Sequence, residues 1–259
     1  MRGGGLIAAA LLALVLMLVP GSGPARGETV TAGMSDTRVE IQSNFVGTEL
    51  TLFGLIEPEP GAELAEAYDV AVVVRGPGED TVTRRRERVA GIWINRRAVS
   101  FADAPSYYAV LSNRPIAEIA DAETLAAYQI GLGNIRLEAD GADSPAQAEE
   151  FRRAMIERKA DRGLYVTAER GVDMMAPALF ATDIPLPAYI RTGAYSARIL
   201  VFAEGSLVAT QRETFWVAKS GFEERVSNWA TRRPLLYGLG AVAIAIFAGW
   251  FAGVIFRRD

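Results

Sequence analysis

The chain has 259 residues, of which 50% are hydrophobic, and its 27 Lys+Arg against 31 Asp+Glu give a net charge of −4. It contains no cysteine and no histidine, which excludes disulfides, Cys/His zinc sites and catalysis by Ser-His-Asp or Cys-His groups. The nearly balanced charge also argues against nucleic-acid binding. We therefore expect no metal and no cofactor, although paired carboxylates, Lys or Tyr leave a hydrolase as a third-ranked alternative.

Residues 1–27 have the composition of a secretory signal peptide. Arg2 precedes an unbroken apolar stretch over Leu6–Val19, and Pro20–Ala25 then supplies small and helix-breaking residues. A positive start, a short apolar run and a small-residue end are typical of a cleaved signal. An uncleaved N-terminal anchor is the alternative. We predict that the residues that follow lie outside the cytoplasm.

Residues 28–219 are predicted to form a periplasmic β domain. Glu49–Ile56 reads as a strand that ends in a Pro-rich turn, and Asp69–Arg75 is nearly continuous and apolar, as in a strand buried on both faces. Short strands between closely spaced Gly and Pro turns favour a mainly β fold, an immunoglobulin-like antiparallel β-sandwich. Further strand signals occur at Thr37–Ser43, Thr81–Asn95, Ala98–Phe101, Ser106–Ser112, Leu164–Glu169 and Leu179–Ile184.

The centre of this domain, about residues 121–162, is predicted to be an α-helical insertion. Asp121–Ile130 has apolar residues at helical spacing. Ser144 followed by Pro145 predicts an N-cap and the first position of a second helix, in which Phe151 and Met155 form an apolar stripe.

The clearest predicted hairpin pairs Tyr195–Ala203 with Ser206–Ala218 across Glu204 and Gly205. Tyr195 stands two residues after a glycine at the start of this late strand. This spacing predicts a tyrosine corner, in which the hydroxyl bonds to backbone a few residues upstream. An ordinary core tyrosine is the alternative.

Residues 220–233 are predicted to form a juxtamembrane amphipathic helix, with Trp229, Arg232 and Arg233 as interfacial anchors. Residues 234–256 carry no charge and are predicted to form a transmembrane helix. Residues 257–259 would then be a cytoplasmic tail. Together these segments predict a single-pass protein of the bacterial inner membrane, with its bulk in the periplasm.

Small residues recur every fourth position in the predicted transmembrane helix. This spacing lets another helix approach closely, so we predict packing against a second copy or another membrane protein, with a chance pattern as the alternative. The positions are Ala241, Ala245, Gly249 and Gly253.

Arg84, Arg86 and Arg88 share one face if residues 81–95 form a strand. Such a face predicts a site for an anion, a lipid headgroup or an acidic partner. The alternative is a solvated face that pairs with Asp or Glu from a neighbouring element.

Several local strings resemble the alphaproteobacterial putative transmembrane protein family, whose members are exported, single-span and uncharacterised. The resemblance covers nearly the whole chain after residue 27 and implies no activity and no site residues. It is carried by Glu28–Ser35, Gly91–Asn95, Ala104–Val110, Asn113–Pro115, Ile184–Pro187 and Gly193–Tyr195.

These observations favour a membrane-anchored periplasmic interaction module that is not an enzyme and is accessory to a transporter or an envelope complex. Its expected partners are the lipid bilayer and another membrane protein. The alternative function is a periplasmic binder of an anionic ligand or lipid headgroup through the Arg84–Arg88 face.

Overall fold

The computed structural model describes residues 28–41, 45–58, 60–61, 64–89, 91–219, 230–231 and 233–255. The predicted signal peptide, the cytoplasmic tail and most of the juxtamembrane helix, with Trp229 and Arg232, lie outside these residues. For Arg86 and Gly253 only the backbone is described.

Thirteen strands and four α-helices form the described part of the chain. The strands are β1 (Thr29–Met34), β2 (Arg38–Ile41), β3 (Gly47–Glu57), β4 (Asp69–Arg75), β5 (Gly78–Val89), β6 (Ile92–Pro105), β7 (Tyr108–Ser112), β8 (Glu138–Asp140), β9 (Tyr165–Glu169), β10 (Val172–Ala176), β11 (Leu179–Pro187), β12 (Gly193–Ala203) and β13 (Ser206–Lys219). The helices are α1 (Ile116–Ile119), α2 (Ala122–Ala127), α3 (Pro145–Asp161) and α4 (Pro234–Ile255), with a 3₁₀ helix at Leu132–Asn134.

The strands form three sheets. Sheet A has the order β1-β3-β11-β10, sheet B the order β2-β13-β12-β4-β7-β9, and sheet C the order β5-β6-β8. In sheet B, β2 runs parallel to β13 and β7 runs parallel to β9, whereas the other pairs are antiparallel.

Sheets A and B pack face to face around the first hydrophobic core. Leu52 of β3 and Phe180 of β11 meet Val72 of β4 and Ile199 of β12 there, and all four side chains are buried. Alternate residues of β3 and β13 are buried, because successive side chains of a strand point to opposite faces and only one face of each strand contacts this core.

A second core covers the other face of sheet B. Val73 of β4 and Val110 of β7 pack there against Phe101 of β6 and against Phe151 and Met155 of α3. Both faces of β4 and β7 are therefore buried, as the uninterrupted apolar sequence of β4 predicts. The fold has three layers: sheet A, sheet B, and helices α1–α3 together with sheet C.

The prediction of a mainly β fold is confirmed, but that of an immunoglobulin-like antiparallel sandwich is wrong in two respects. Sheet B is mixed, because the chain crosses over through α1–α3 before β9 pairs in parallel with β7. The doubly apolar strands of sheet B also require a third layer to cover them.

The local predictions for the two central helices and for the β12–β13 hairpin are confirmed. Gln147 N donates to Ser144 Oγ at 3.2 Å, which caps α3. Glu204 and Gly205 both have positive φ angles, 50° and 78°, in the turn between β12 and β13. Tyr195 Oη donates to Arg191 O at 2.5 Å, which is the hydrogen bond expected of a tyrosine corner.

Helix α4 has 22 residues, none of them charged. Across the part of the chain that is described, no helix is both long and apolar enough to cross a membrane. The prediction of a transmembrane helix over residues 234–256 is therefore wrong for this structure.

Candidate anion-binding site

Three arginines that are far apart in sequence meet on the helix-facing side of sheet B. Arg198 of β12 lies directly opposite Arg212 of β13. Arg75 of β4 lies opposite Ser196, two residues along the strand from Arg198. Residues that pair across a sheet point to the same side, with Cβ atoms about 5 Å apart for direct partners and 7–8 Å for diagonal ones. We call Arg75, Arg198 and Arg212 the guanidinium cluster.

The C-terminal end of α2 positions two members of the cluster. Arg198 Nη2 donates to Tyr128 O at 2.5 Å, and Arg75 Nη1 donates to Gln129 Oε1 at 3.1 Å. Tyr108 Oη donates to Gln129 O. The left-handed conformation of Gln129 (φ 54°) turns the chain at this point. These contacts satisfy carbonyl groups that the end of a short helix leaves unpaired.

Charge within the cluster is uncompensated. Among the described residues, no carboxylate lies within ion-pair distance of Arg75, Arg198 or Arg212. Arg198 Nε is buried and has no hydrogen-bond partner among the described residues. Burial lowers the pKa of Arg198, and the positive charges of Arg212 and Arg75 lower it further. Arg198 thus lies between two other cations and has a buried N–H group with no acceptor in the described part of the chain. An anion bound here would accept from that group and offset the positive charge.

The chemistry available here is hydrogen-bond donation. A guanidinium group presents several N–H donors in a planar fork that matches carboxylate and phosphate oxygens. Burial raises the pKa of Tyr108 well above its usual value, so its hydroxyl stays protonated and does not act as a base near neutral pH. Among the described residues, no group of three or more acidic side chains is arranged to hold a metal ion.

The predicted Arg84–Arg88 face lies elsewhere, on the β5–β6 hairpin of sheet C. Arg84 and Arg88 are exposed, and Arg88 Nε donates to Gly91 O at 3.5 Å. The neighbouring Arg85 forms an ion pair with Glu150 of α3 at 3.0 Å. The register between β5 and β6 shifts between Arg85 and Arg86. Binding of an anion by Arg84, Arg86 and Arg88 stays a prediction.

A second polar cluster ties α3 to the strands around it. Lys159, which is 6% exposed, donates to Glu79 Oε1 at 2.7 Å and to Pro105 O at 2.8 Å. Arg191 Nη1 lies 2.7 Å from Glu79 Oε2. Burial alone would raise the pKa of Glu79, but Lys159 and Arg191 outweigh it and hold that pKa below its usual value. Because its charges are paired internally, this cluster is a structural contact.

The small residues Ala241, Ala245 and Gly249 are exposed on α4, and a Cβ atom added at Gly249 would meet nothing within 4 Å. Arg233 is exposed just before this helix. Packing of this helix against another helix, and an anchoring role for Arg233, stay predictions.

Sequence reasoning missed the guanidinium cluster because strand register alone brings its members together. One signal was present: Arg198 interrupts the apolar strand Tyr195–Phe202, and Arg75 ends the apolar run of β4. A charge inside a buried strand is costly unless it has a partner or a function.

The fold and the site define a mainly β protein of three layers, with a cationic cluster on its central sheet that has no carboxylate partner among the described residues. The chain belongs to the family described as "putative transmembrane protein (Alph_Pro_TM)", whose sequence profile matches residues 29–258. The resemblance noted from local strings is thereby confirmed. No curated protein matches the chain significantly in sequence.

Proposed function

We propose that this protein is a non-catalytic, membrane-associated module that binds an oxyanion, a phosphate or a carboxylate group, through Arg75, Arg198 and Arg212. The observation that carries this proposal is the half-buried guanidinium of Arg198, which has two cationic neighbours, no carboxylate partner among the described residues and one buried N–H unused.

An anion at this position would relieve an electrostatic cost of the fold. Like charges directly opposite each other in a sheet destabilise it by roughly 0.2–1 kcal/mol, and Arg198 and Arg212 form such a pair. A charge-assisted hydrogen bond to an oxyanion is about twice as strong as one between neutral groups. Ligand binding would therefore both satisfy the free donor and offset the repulsion.

The cellular role that we propose is that of an accessory subunit of a transporter or an envelope complex, in the periplasm at the inner membrane. The family to which the chain belongs and the signal-peptide composition of residues 1–27 support this location. The bilayer and a second membrane protein are its proposed partners.

The proposal is tested by the thermal stability of the full chain in mild detergent as inorganic phosphate is added. A ligand that binds the native state raises Tm as its concentration exceeds Kd. We expect Tm to rise with phosphate in the wild-type protein, and to rise much less in the Arg198→Met variant. Because Arg198 also supports α2, Arg212→Gln is the second variant, in which an exposed side chain stays polar and loses its charge.

The matched control is Arg84→Met, which removes an exposed arginine from the predicted Arg84–Arg88 face. We expect this variant to keep the wild-type response. If both cluster variants respond like wild type, the proposal is wrong. If Arg84→Met alone loses the response, the anion site lies on the β5–β6 hairpin instead.

A further inference from the structure

About half of the helix-facing side of sheet B is not covered by any of the described residues. The helices and sheet C cover β4, β7 and β9, whereas β2, β13 and the beginning of β12 expose their side chains on this side. We call this the uncovered face. Its exposed residues are Arg38, Glu40, Ala194, Thr210, Arg212, Thr214 and Trp216.

Trp216 is the main apolar feature of the uncovered face. It is 56% exposed, and its neighbours Phe215 and Val217 point into the first core. The core therefore does not require a tryptophan at this position. Arg38 pairs in register with Trp216 on the same side of the sheet. Tryptophan and arginine side chains, each with an apolar body and a polar end, are suited to the headgroup level of a membrane.

The charge of the uncovered face is positive, and the guanidinium cluster continues it. At the register positions of β2, β12 and β13 on this side, the described residues include one carboxylate, Glu40, opposite Ala218. Between Arg212 and Trp216 lie Thr214 and, across from it, Ser196, both of them small. The face carries a net positive charge and an exposed aromatic ring, which complements an extended anionic surface rather than an enclosed ligand.

We propose that the uncovered face docks on an anionic bilayer surface, with Trp216 and Arg38 at headgroup level and the guanidinium cluster on a lipid phosphate. The contact between the guanidinium cluster and a lipid phosphate rests on the proposed function, whereas the contribution of Trp216 and Arg38 to membrane binding does not depend on it. Basic residues close to an anionic membrane are attracted to its surface. β13, which carries Trp216, ends at Lys219, and residues 220–233 separate it from the apolar helix α4.

The absence of cysteine from the chain allows a direct test. Thr214→Cys, at the centre of the face, is labelled with the environment-sensitive fluorophore NBD in the full chain. The labelled protein is reconstituted into vesicles of phosphatidylcholine alone or of phosphatidylcholine with phosphatidylglycerol. The control label is Asp173→Cys on β10, which is exposed on sheet A.

We expect severalfold brighter NBD emission at position 214 in the phosphatidylglycerol vesicles than in phosphatidylcholine, and no difference at position 173. Trp216→Ser with Arg38→Gln should remove that difference while keeping the rise of Tm with free phosphate. High salt should weaken the signal, because it screens exposed charges.

Equal emission at position 214 in the two lipids overturns the proposal, as does a response that Trp216→Ser with Arg38→Gln leaves intact. Shielding of position 214 in native membranes but not in phosphatidylglycerol vesicles assigns the face to a protein partner and also overturns it. If free phosphate fails to raise Tm but the lipid response depends on Trp216, the proposed function fails and the docking surface stands.

Discussion

Removing Glu79 should destabilise the protein far more than removing its partner Lys159. In Glu79→Ala, the Lys159 ammonium stays 6% exposed with only Pro105 O at 2.8 Å and the Tyr165 ring, 5.1 Å from its centroid, to stabilise it. Breaking a buried ion pair from one side typically costs 3–5 kcal/mol. Because Glu79 is itself a quarter exposed, we expect the lower end, about 3 kcal/mol.

Lys159→Met should cost much less. The methionine side chain fills most of the volume of the lysine stem, and Glu79 keeps Arg191 at 2.7 Å. We expect a change within about 1 kcal/mol. The double variant Glu79→Ala with Lys159→Met should recover most of the stability that Glu79→Ala loses, which gives a coupling of about 2 kcal/mol between the two positions.

The same pair predicts a pH dependence. The pKa of Glu79 is lower in the folded protein than its usual 4.5. Glu79 therefore contributes stability above pH 4.5, and this contribution is lost as the pH falls through the folded pKa. Wild type should lose stability over this acidic range more steeply than Glu79→Ala does.

Urea unfolding followed by far-UV circular dichroism at neutral and acidic pH measures all of these changes. The reasoning is refuted if Lys159→Met is as destabilising as Glu79→Ala and the double variant shows no recovery. That outcome would mean that the packing of α3, rather than an unpaired charge, sets the cost.

Two further changes test the packing of the two sheets. Tyr195→Phe removes the hydroxyl that donates to the backbone four residues upstream, and we expect the free energy of unfolding in urea to fall by about 1 kcal/mol. The control Tyr189→Phe, at an 83% exposed position, should leave the free energy of unfolding unchanged. Equal effects of the two substitutions would contradict a tyrosine corner. Gly54→Ala would place its Cβ 2.4 Å from the buried ring of Phe180, and we expect a loss of 1–3 kcal/mol. In Gly33→Ala, the added Cβ lies 3.1 Å from the exposed ring of Phe53, and we expect a loss of less than about 1 kcal/mol. If Gly33→Ala destabilised the protein more than Gly54→Ala, this description of the packing would be wrong.

Local features of the fold could be read from the sequence because short-range physics determines them. The apolar run of β4 indicated burial on both faces, and Ser144 with Pro145 marked the start of α3. Glu204 and Gly205 supplied the turn of the β12–β13 hairpin.

Long-range arrangement could not be read in the same way. The parallel pairing of β7 with β9 depends on how the helical crossover packs, and the third layer depends on which strands it covers. The sequence predicted an anion site at the arginines of β5 because these residues are close together in sequence. Arg75, Arg198 and Arg212 become neighbours only through the register of sheet B.

The most direct measurement of anion binding is a crystal of the full chain grown with arsenate, a phosphate analogue, and data collected at the arsenic absorption edge. We predict an anomalous peak within hydrogen-bond distance of the guanidinium groups of Arg198 and Arg212. A peak confined to the β5–β6 hairpin, or none at the guanidinium cluster under saturating arsenate, would contradict the proposed function.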